Sequence, residues 1–465
     1  MNDPSKKTAM PFVSTNPATG EAFAEHPEHD GAEIARRLDL ADRCFEEWRE
    51  TTFAERAALM KRLAALFREK KRAVAEMASR EMGRPITAAM AEVEKCALVC
   101  DYYADNAEKM LAPEPVDAGT SESYVRFDPL GAVLAVMPWN FAYWQVMRFA
   151  APALMAGNVG LLKHASNVQG CAIMLEELFR EAGFPTGAFQ NLAVRVAAVE
   201  GVLRDKRVKA ATLTGSEKAG ASVASICGQE IKTTVLELGG SDPYVVLADA
   251  DIEACARVAV EARLQNAGQS CIAAKRFIVV SAVHDRFVKL LMEGFAKVVV
   301  GDPLDEKTTM GPLSTEGGLK DVERQVADSA AMGAKIVCGG NRVTGPGWFY
   351  EPTILTGVKK GMPAYDEETF GPAAAVIEVA NEEEAIAVAN DTDFGLGAAL
   401  WTRDIARAKL LAARLNAGFV AINNMVKSDP RLPFGGIGKS GYGRELSHYG
   451  IKEFVNIKTV RISAS

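Results

Sequence analysis

Apolar residues recur at helical spacing over residues 53–82, where Leu59, Leu63, Leu66, Phe67, Val74 and Met77 mark one face. The pattern predicts one long amphipathic helix with a solvated charged face, which Gly83 can end. Over residues 114–127 the character changes: prolines come first, then the extended run Ser123-Tyr-Val-Arg-Phe, which reads as a strand leaving the globule. From Gly131 the pattern becomes strand, helix, strand. Ala132-Val-Leu-Ala-Val-Met137, Val159-Gly-Leu-Leu-Lys163 and Ala210-Ala-Thr-Leu-Thr214 read as buried strands, with helices over 168–182 and 217–227. Such alternation predicts a parallel sheet covered by helices. A second series begins near Asp242, with Tyr244-Val-Val-Leu and Arg276-Phe-Ile-Val-Val280, and runs to about Asn424. The tail 453–462 reads as a strand that can pair with 123–127 of the same or a neighbouring subunit.

At 465 residues the chain exceeds one core, so two or three domains are expected. With 48% hydrophobic and 24% charged residues it has the composition of a globular protein of enzyme size. A net charge of -7 without any basic block argues against nucleic acid as the main partner. The opening Met1-Asn-Asp-Pro-Ser-Lys-Lys lacks the apolar core of a leader, and no apolar run reaches about 18 residues. The expectation is a cytoplasmic protein without a membrane partner. Eight cysteines form no close C-x-x-C pair, and five histidines form no ligand cluster. Cys96 and Cys100 share a helical face, where packing explains them, so no metal is expected.

Two motifs mislead. Gly436-Ile-Gly438-Lys-Ser-Gly441 has G-x-G-x-x-G spacing, but it follows Leu432-Pro-Phe rather than a buried strand. As a phosphate loop it fails, because the required first glycine falls on Pro433. A cysteine hydrolase needs a histidine partner, and His284, thirteen residues after Cys271 at a helix start, is a poor candidate.

The informative chemistry lies in Asn266-Ala-Gly-Gln-Ser-Cys271 and Leu236-Glu237-Leu-Gly-Gly240. A thiolate can add to a carbonyl, and a carboxylate can then activate water against the adduct. A lone cysteine is more often a small buried hydrophobe, and a lone glutamate a surface group. Asn140, after a buried strand and Pro138-Trp139, can offer an amide N–H to an oxyanion beside the Cys271 main-chain N–H. The same side chain can equally cap the helix that follows.

These segments, in their order along the chain, resemble the aldehyde dehydrogenase superfamily, and the matching landmarks extend to Pro433-Phe434-Gly-Gly436. The resemblance implies an α/β fold: a Rossmann-like cofactor domain (1–113 and 130–240), an α/β catalytic domain (241–447) and a β-strand oligomerisation arm (114–129 and 448–465). It implies Cys271 as nucleophile, Glu237 as hydrolytic base and Asn140 as oxyanion donor. An arm with open strand edges implies a homodimer or homotetramer. Absence of a second cysteine beside Cys271, where Ile272, Ala273 and Ala274 follow, argues against a vicinal disulfide switch.

Thr214-Gly215-Ser216 follows a buried strand and precedes a helix, so its N–H groups can meet a pyrophosphate; it resembles the family's T-G-S motif. Glu368-Thr-Phe370-Gly-Pro resembles the E-x-F-G-P that holds the nicotinamide and its ribose, with Trp139 nearby. Where the family often has K-P-S-E, this chain has Lys163-His-Ala-Ser166. Loss of the glutamate removes repulsion of a 2′-phosphate, and Lys163 adds positive charge, so NADP is expected over NAD, with NAD possible. Phe149 stands where many relatives carry a lysine linked to proton relay.

Asn140, Trp144 and Arg148 fall at i, i+4 and i+8 and share a face if the segment is helical. Arg148 at the far end can pair with a substrate carboxylate. This matches the succinate-semialdehyde branch of the family, as does Ser428 before P-F-G-G, whereas Gln265 replaces a second arginine frequent there. The expected activity is NAD(P)-dependent oxidation of an ω-carboxy aldehyde through a Cys271 thiohemiacetal and thioester. The alternatives are a broad-specificity aldehyde dehydrogenase in which Arg148 pairs with an acidic neighbour, and a non-catalytic binding or structural protein on the same scaffold.

Overall fold

The computed structural model describes residues 10–463; the opening segment read above for a leader lies outside the described residues. Two large sheets organise the chain. The first has six strands in the order Gly441–Tyr442, Thr233–Glu237, Val208–Thr214, Ala132–Met137, Val159–His164 and Phe189–Asn191. All pair in parallel except Gly441–Tyr442. The second has seven: Lys335–Cys338, Thr353–Thr356, Ala373–Val379, Arg276–Val280, Pro243–Val246, Gly397–Trp401 and Phe419–Ile422. It is parallel but for its first strand. Helices cover both, as strands buried on two faces require. Each sheet has its own apolar core.

The long helix expected over 53–82 is two. Phe53–Glu69 carries a Thr52–Glu55 capping box, and Lys71–Met82 ends on Gly83 in the left-handed region (φ 81°). The break falls at Lys70, inside the run of charged residues 68–72 that buries nothing. The strand Glu122–Pro129 pairs antiparallel with Val455–Ile462 of the same chain, with Glu114–Pro115 on its other side. The Gly441–Tyr442 strand, beyond the second series read from the sequence, lies antiparallel beside Thr233–Glu237, and Phe434, Leu446 and Phe454 pack into the first core. Among the described residues no helix is long and apolar enough to cross a membrane.

Candidate active site

The carboxyl edge of the first sheet gathers most of the singled-out residues. Lys163 aligns with Val136, Val136 with Leu213, and Thr214 with Glu237, so four neighbouring strands end at one level. Trp139 and Asn140, Ser166, Gly215 and Ser216 emerge just beyond. In parallel sheets this edge is where ligands bind, because helix N-termini and loops converge there.

Cys271 reaches this edge from the second sheet, on the loop before Arg276–Val280. The loop is held in an uncommon shape: Asn266 (φ 54°), Ala267 (φ 54°) and Gly268 (φ 75°) are all left-handed. Two non-glycine residues there cost backbone energy, and the surroundings hold them. Asn266 Nδ2 donates to the carbonyls of Asn140 (2.7 Å) and Gln269 (3.1 Å), and Arg263 donates to the Gly268 carbonyl (2.7 Å). Lys275 Nζ donates to the carbonyls of Ser270 (3.0 Å) and Cys271 (2.9 Å). A Cβ on Gly268 would stand 2.1 Å from the Gly371 carbonyl, so the thiol loop and the Glu368–Pro372 segment fit only with glycine. Desolvation pushes the Cys271 thiol up to about 12, against the pull of Arg148 and Lys275.

Asn140 lies beside this loop, its Nδ2 donating to the Gln269 carbonyl at 3.1 Å. One amide hydrogen is thereby used and one remains to face an oxyanion. Asn140 is not on the helix with Trp144 and Arg148, which begins at Trp144 (Trp144–Met155). The reason is Glu92, on the neighbouring helix Ile86–Met110, whose Oε1 accepts the Tyr143 and Trp144 N–H groups and starts the helix there. Asn140 therefore sits in the preceding turn, and it does not cap that helix.

Glu237 ends its strand almost fully buried, at 2% exposure, with neither carboxylate oxygen hydrogen-bonded among the described residues. Burial holds it well above the usual carboxylate range and Glu445 reinforces that, while Arg148 and Arg444 pull it down. Arg148 itself is taken up: its Nε lies 2.7 Å from Glu445 Oε2, a close charge contact rather than an aligned hydrogen bond. Its guanidinium rests 4.6 Å from the centre of the Phe434 ring. A guanidinium at 3% exposure needs an anion beside it, and the C-terminal segment supplies one. The carboxylate partner expected from a substrate is, in this structure, Glu445. Phe149 packs edge-on against Phe454 (5.9 Å) in the first core and offers no proton path.

On the cofactor side, Ser216 caps the helix Glu217–Gln229 and accepts from Ala219 N–H, while Gly215 N–H donates to the Glu237 carbonyl. Lys163 is buried at 7% exposure, and burial lowers its pKa. Among the described residues no carboxylate lies within ion-pair distance of it. A buried, uncompensated cation beside the exposed Ser166 hydroxyl fits a phosphate-bearing ligand. Glu368 turns inward, accepting from Gly240 N–H (3.1 Å) and lying 3.4 Å from Lys275 Nζ. Phe370 meets Trp139 edge to face at 5.9 Å. Trp144 and Ser428 are joined directly, Trp144 Nε1 donating to Ser428 Oγ at 3.1 Å.

Sequence reasoning missed Lys275, Glu445, Gln269, whose Nε2 donates to the Asn266 carbonyl at 3.1 Å, and Lys95, whose Nζ donates to Ser428 Oγ at 2.8 Å. Lys275 and Gln269 carry a signal in retrospect, since a left-handed loop buries carbonyls that need donors. Glu445 has none at the level of the sequence: only the fold brings it to Arg148.

The profile of the Aldehyde dehydrogenase family matches residues 4–460. The chain is 53% identical over 457 residues to "Succinate-semialdehyde dehydrogenase [NADP(+)] 1" of Mycobacterium tuberculosis, covering 98% of this chain and 100% of that one. It is 51% identical to a "Probable succinate-semialdehyde dehydrogenase [NADP(+)]" of Synechocystis, covering 98% and 100%. Among solved structures it is similar to succinic semialdehyde dehydrogenase from Streptococcus pyogenes in complex with NADP+, with a TM-score of 0.95 and 40% identity, covering 97% and 100%.

Proposed function

The chain belongs to the aldehyde dehydrogenase family, and on that premise we propose that it oxidises succinate semialdehyde to succinate with NADP. The observation that carries the reading is the convergence of Cys271, Asn140 and Glu237, delivered by separate segments, at one sheet edge. Its substrate and cofactor agree with those named for the relatives above.

Cys271 Sγ adds to the aldehyde carbon, and the Asn140 amide with the Cys271 N–H receives the developing oxyanion. With the Gly215 N–H committed to the Glu237 carbonyl, the rest of the Thr214-Gly215-Ser216 turn would hold the pyrophosphate, Lys163 and Ser166 the 2′-phosphoribose, and Glu368, Phe370 and Trp139 the nicotinamide end. When bound, the nicotinamide supplies hydride acceptance from the thiohemiacetal carbon. The thioester left on Cys271 is hydrolysed by water that gives its proton to Glu237. The raised pKa of Glu237 makes it a stronger base once ionised, and Arg148 and Arg444 favour that ionised form. The first sheet thus carries the cofactor and the base, and the second contributes the nucleophile.

We place the enzyme in the cytoplasm as a homodimer or homotetramer. The strand Val455–Ile462 lies at the edge of its sheet with Ile457 and Ile462 exposed, a surface suited to a second copy. The test is formation of the reduced cofactor, NADPH from NADP or NADH from NAD, with succinate semialdehyde, butanal and hexanal. Succinate semialdehyde with NADP should give the highest kcat/KM; equal rates on all three aldehydes would reduce the assignment to a general aldehyde dehydrogenase with Arg148 structural.

A further inference from the structure

Lys95 is a cation without an anion. It projects from the helix Ile86–Met110, one turn after Glu92, and is half-buried. Its Nζ donates to Ser428 Oγ at 2.8 Å and lies 4.1 Å from the centre of the Trp144 ring. Among the described residues no carboxylate oxygen stands within 4.0 Å of it. The nearby acids are committed elsewhere: Glu92 to the Tyr143 and Trp144 N–H groups and, at 3.3 Å, to Arg84, and Asp429 to Arg431 at 2.7 Å. Arg148, the other cation of this region, already faces Glu445.

The hydrogen-bond count is specific. Ser428 Oγ accepts twice, from Lys95 and from Trp144 Nε1, so its own O–H must donate outward. Lys95 has two further N–H groups. Three donor hydrogens, two of them on the ammonium, lie beside an indole wall. That set matches the two oxygens of a carboxylate.

Resting on the proposed oxidation of an ω-carboxy aldehyde, we propose that Lys95, with Ser428 and Trp144, binds the substrate's distal carboxylate, and that Arg148 is instead a positioning residue for Glu445 and Glu237. Burial, with Arg148 and Lys427 adding repulsion, pulls Lys95 down to about 7. An arriving carboxylate relieves that repulsion and returns the proton. Substrate binding and protonation of Lys95 therefore favour one another.

The test compares Lys95→Met and Lys95→Arg with wild type on succinate semialdehyde and on butanal, which has the same chain length without the carboxylate. Lys95→Met should raise KM for the semialdehyde about 30-fold or more, leave butanal within about threefold, and keep the melting temperature. Lys95→Arg should recover part of the loss. On the unmodified enzyme, acylation of Lys95 by acetic anhydride at pH 8, read by peptide mass spectrometry, should slow as succinate is added; this needs no folded variant. Equal losses on both aldehydes, or unchanged KM with no succinate protection, would overturn the subsite while the activity stands. A wild type that does not prefer the semialdehyde to butanal would overturn the proposed function and the subsite with it.

Discussion

The main-chain carbonyl of Glu237 accepts the Gly215 N–H at 3.0 Å, so the proposed base is bonded through its backbone to the turn proposed to meet the cofactor's phosphates. The backbone of Glu237 is further fixed in its sheet, facing Thr214 on one side and Gly441 on the other. Only its side-chain torsions are free to carry the carboxylate from its buried position toward a water near Cys271.

Glu237→Gln should separate the two halves of the reaction. One equivalent of NADPH per active site should appear quickly, followed by steady turnover slowed by about 10²–10⁴-fold, since only hydrolysis needs the base. Rapid-mixing absorbance checks it; a slow first turnover would mean that Glu237 acts before hydride transfer.

Ser166→Glu should move preference from NADP toward NAD. A carboxylate beside a 2′-phosphate costs on the order of 1–3 kcal/mol, or about 5–150-fold in affinity. Dissociation constants for both cofactors decide the matter, and unchanged values would place Ser166 away from the ribose.

With its thiol pushed up to about 12 in the free enzyme, Cys271 is thiolate in a small fraction that grows about tenfold per pH unit. Inactivation by iodoacetamide should accelerate accordingly from pH 7 to 9 without levelling, and Cys271→Ala should be inactive while still binding NADP. A plateau below pH 8 would reveal thiolate stabilisation by the loop.

Arg148→Met removes a cation that lowers the pKa of both Glu237 and Glu445. Both carboxyls should then ionise at higher pH, so the acidic limb of the pH–kcat profile should move upward in pH. At pH 7 turnover should fall on butanal and succinate semialdehyde alike, by about 10–100-fold. Loss of the pair partner should also destabilise the fold by about 3–5 kcal/mol. A loss confined to the semialdehyde would return Arg148 to the substrate carboxylate.

Gly268→Ala should destabilise by about 2 kcal/mol or more and abolish most activity, because its Cβ meets the Gly371 carbonyl at a φ that only glycine tolerates well. Denaturant unfolding and kcat measured together test this, and a wild-type midpoint would mean that the two segments can separate.

The alternation of strands and helices was legible because strands buried on both faces leave continuous apolar runs. Cys271 stood out because a small, turn-prone run precedes it, Glu237 because it sits between two leucines with two glycines after, and Asn140 because it follows a buried strand and Pro138-Trp139. The break at Lys70 was hidden: residues 68–72 carry only charges, and periodicity says nothing where no apolar side chain marks the face. The position of Asn140 was misread because the start of its neighbouring helix is set by Glu92, some fifty residues earlier in the chain. Lys95 and Glu445 were invisible for the same reason. Each is an ordinary charged residue on its own segment and gains meaning only from what the fold lays against it.

Pairing of Glu122–Pro129 with Val455–Ile462 joins early and late stretches of the chain, and Glu445 and Phe434 come from the same late stretch. During synthesis the ribosome finishes both the Glu237 strand and the Cys271 loop long before that tail emerges. Until it does, Arg148 has no counter-ion, the first core lacks Phe434 and Phe454, and the Glu122–Pro129 edge is open. Non-local closure of this kind is slow and comes late. The nascent chain therefore holds its nucleophile and base in an unfinished pocket until the stretch that carries Phe434, Glu445 and Val455–Ile462 folds back onto it.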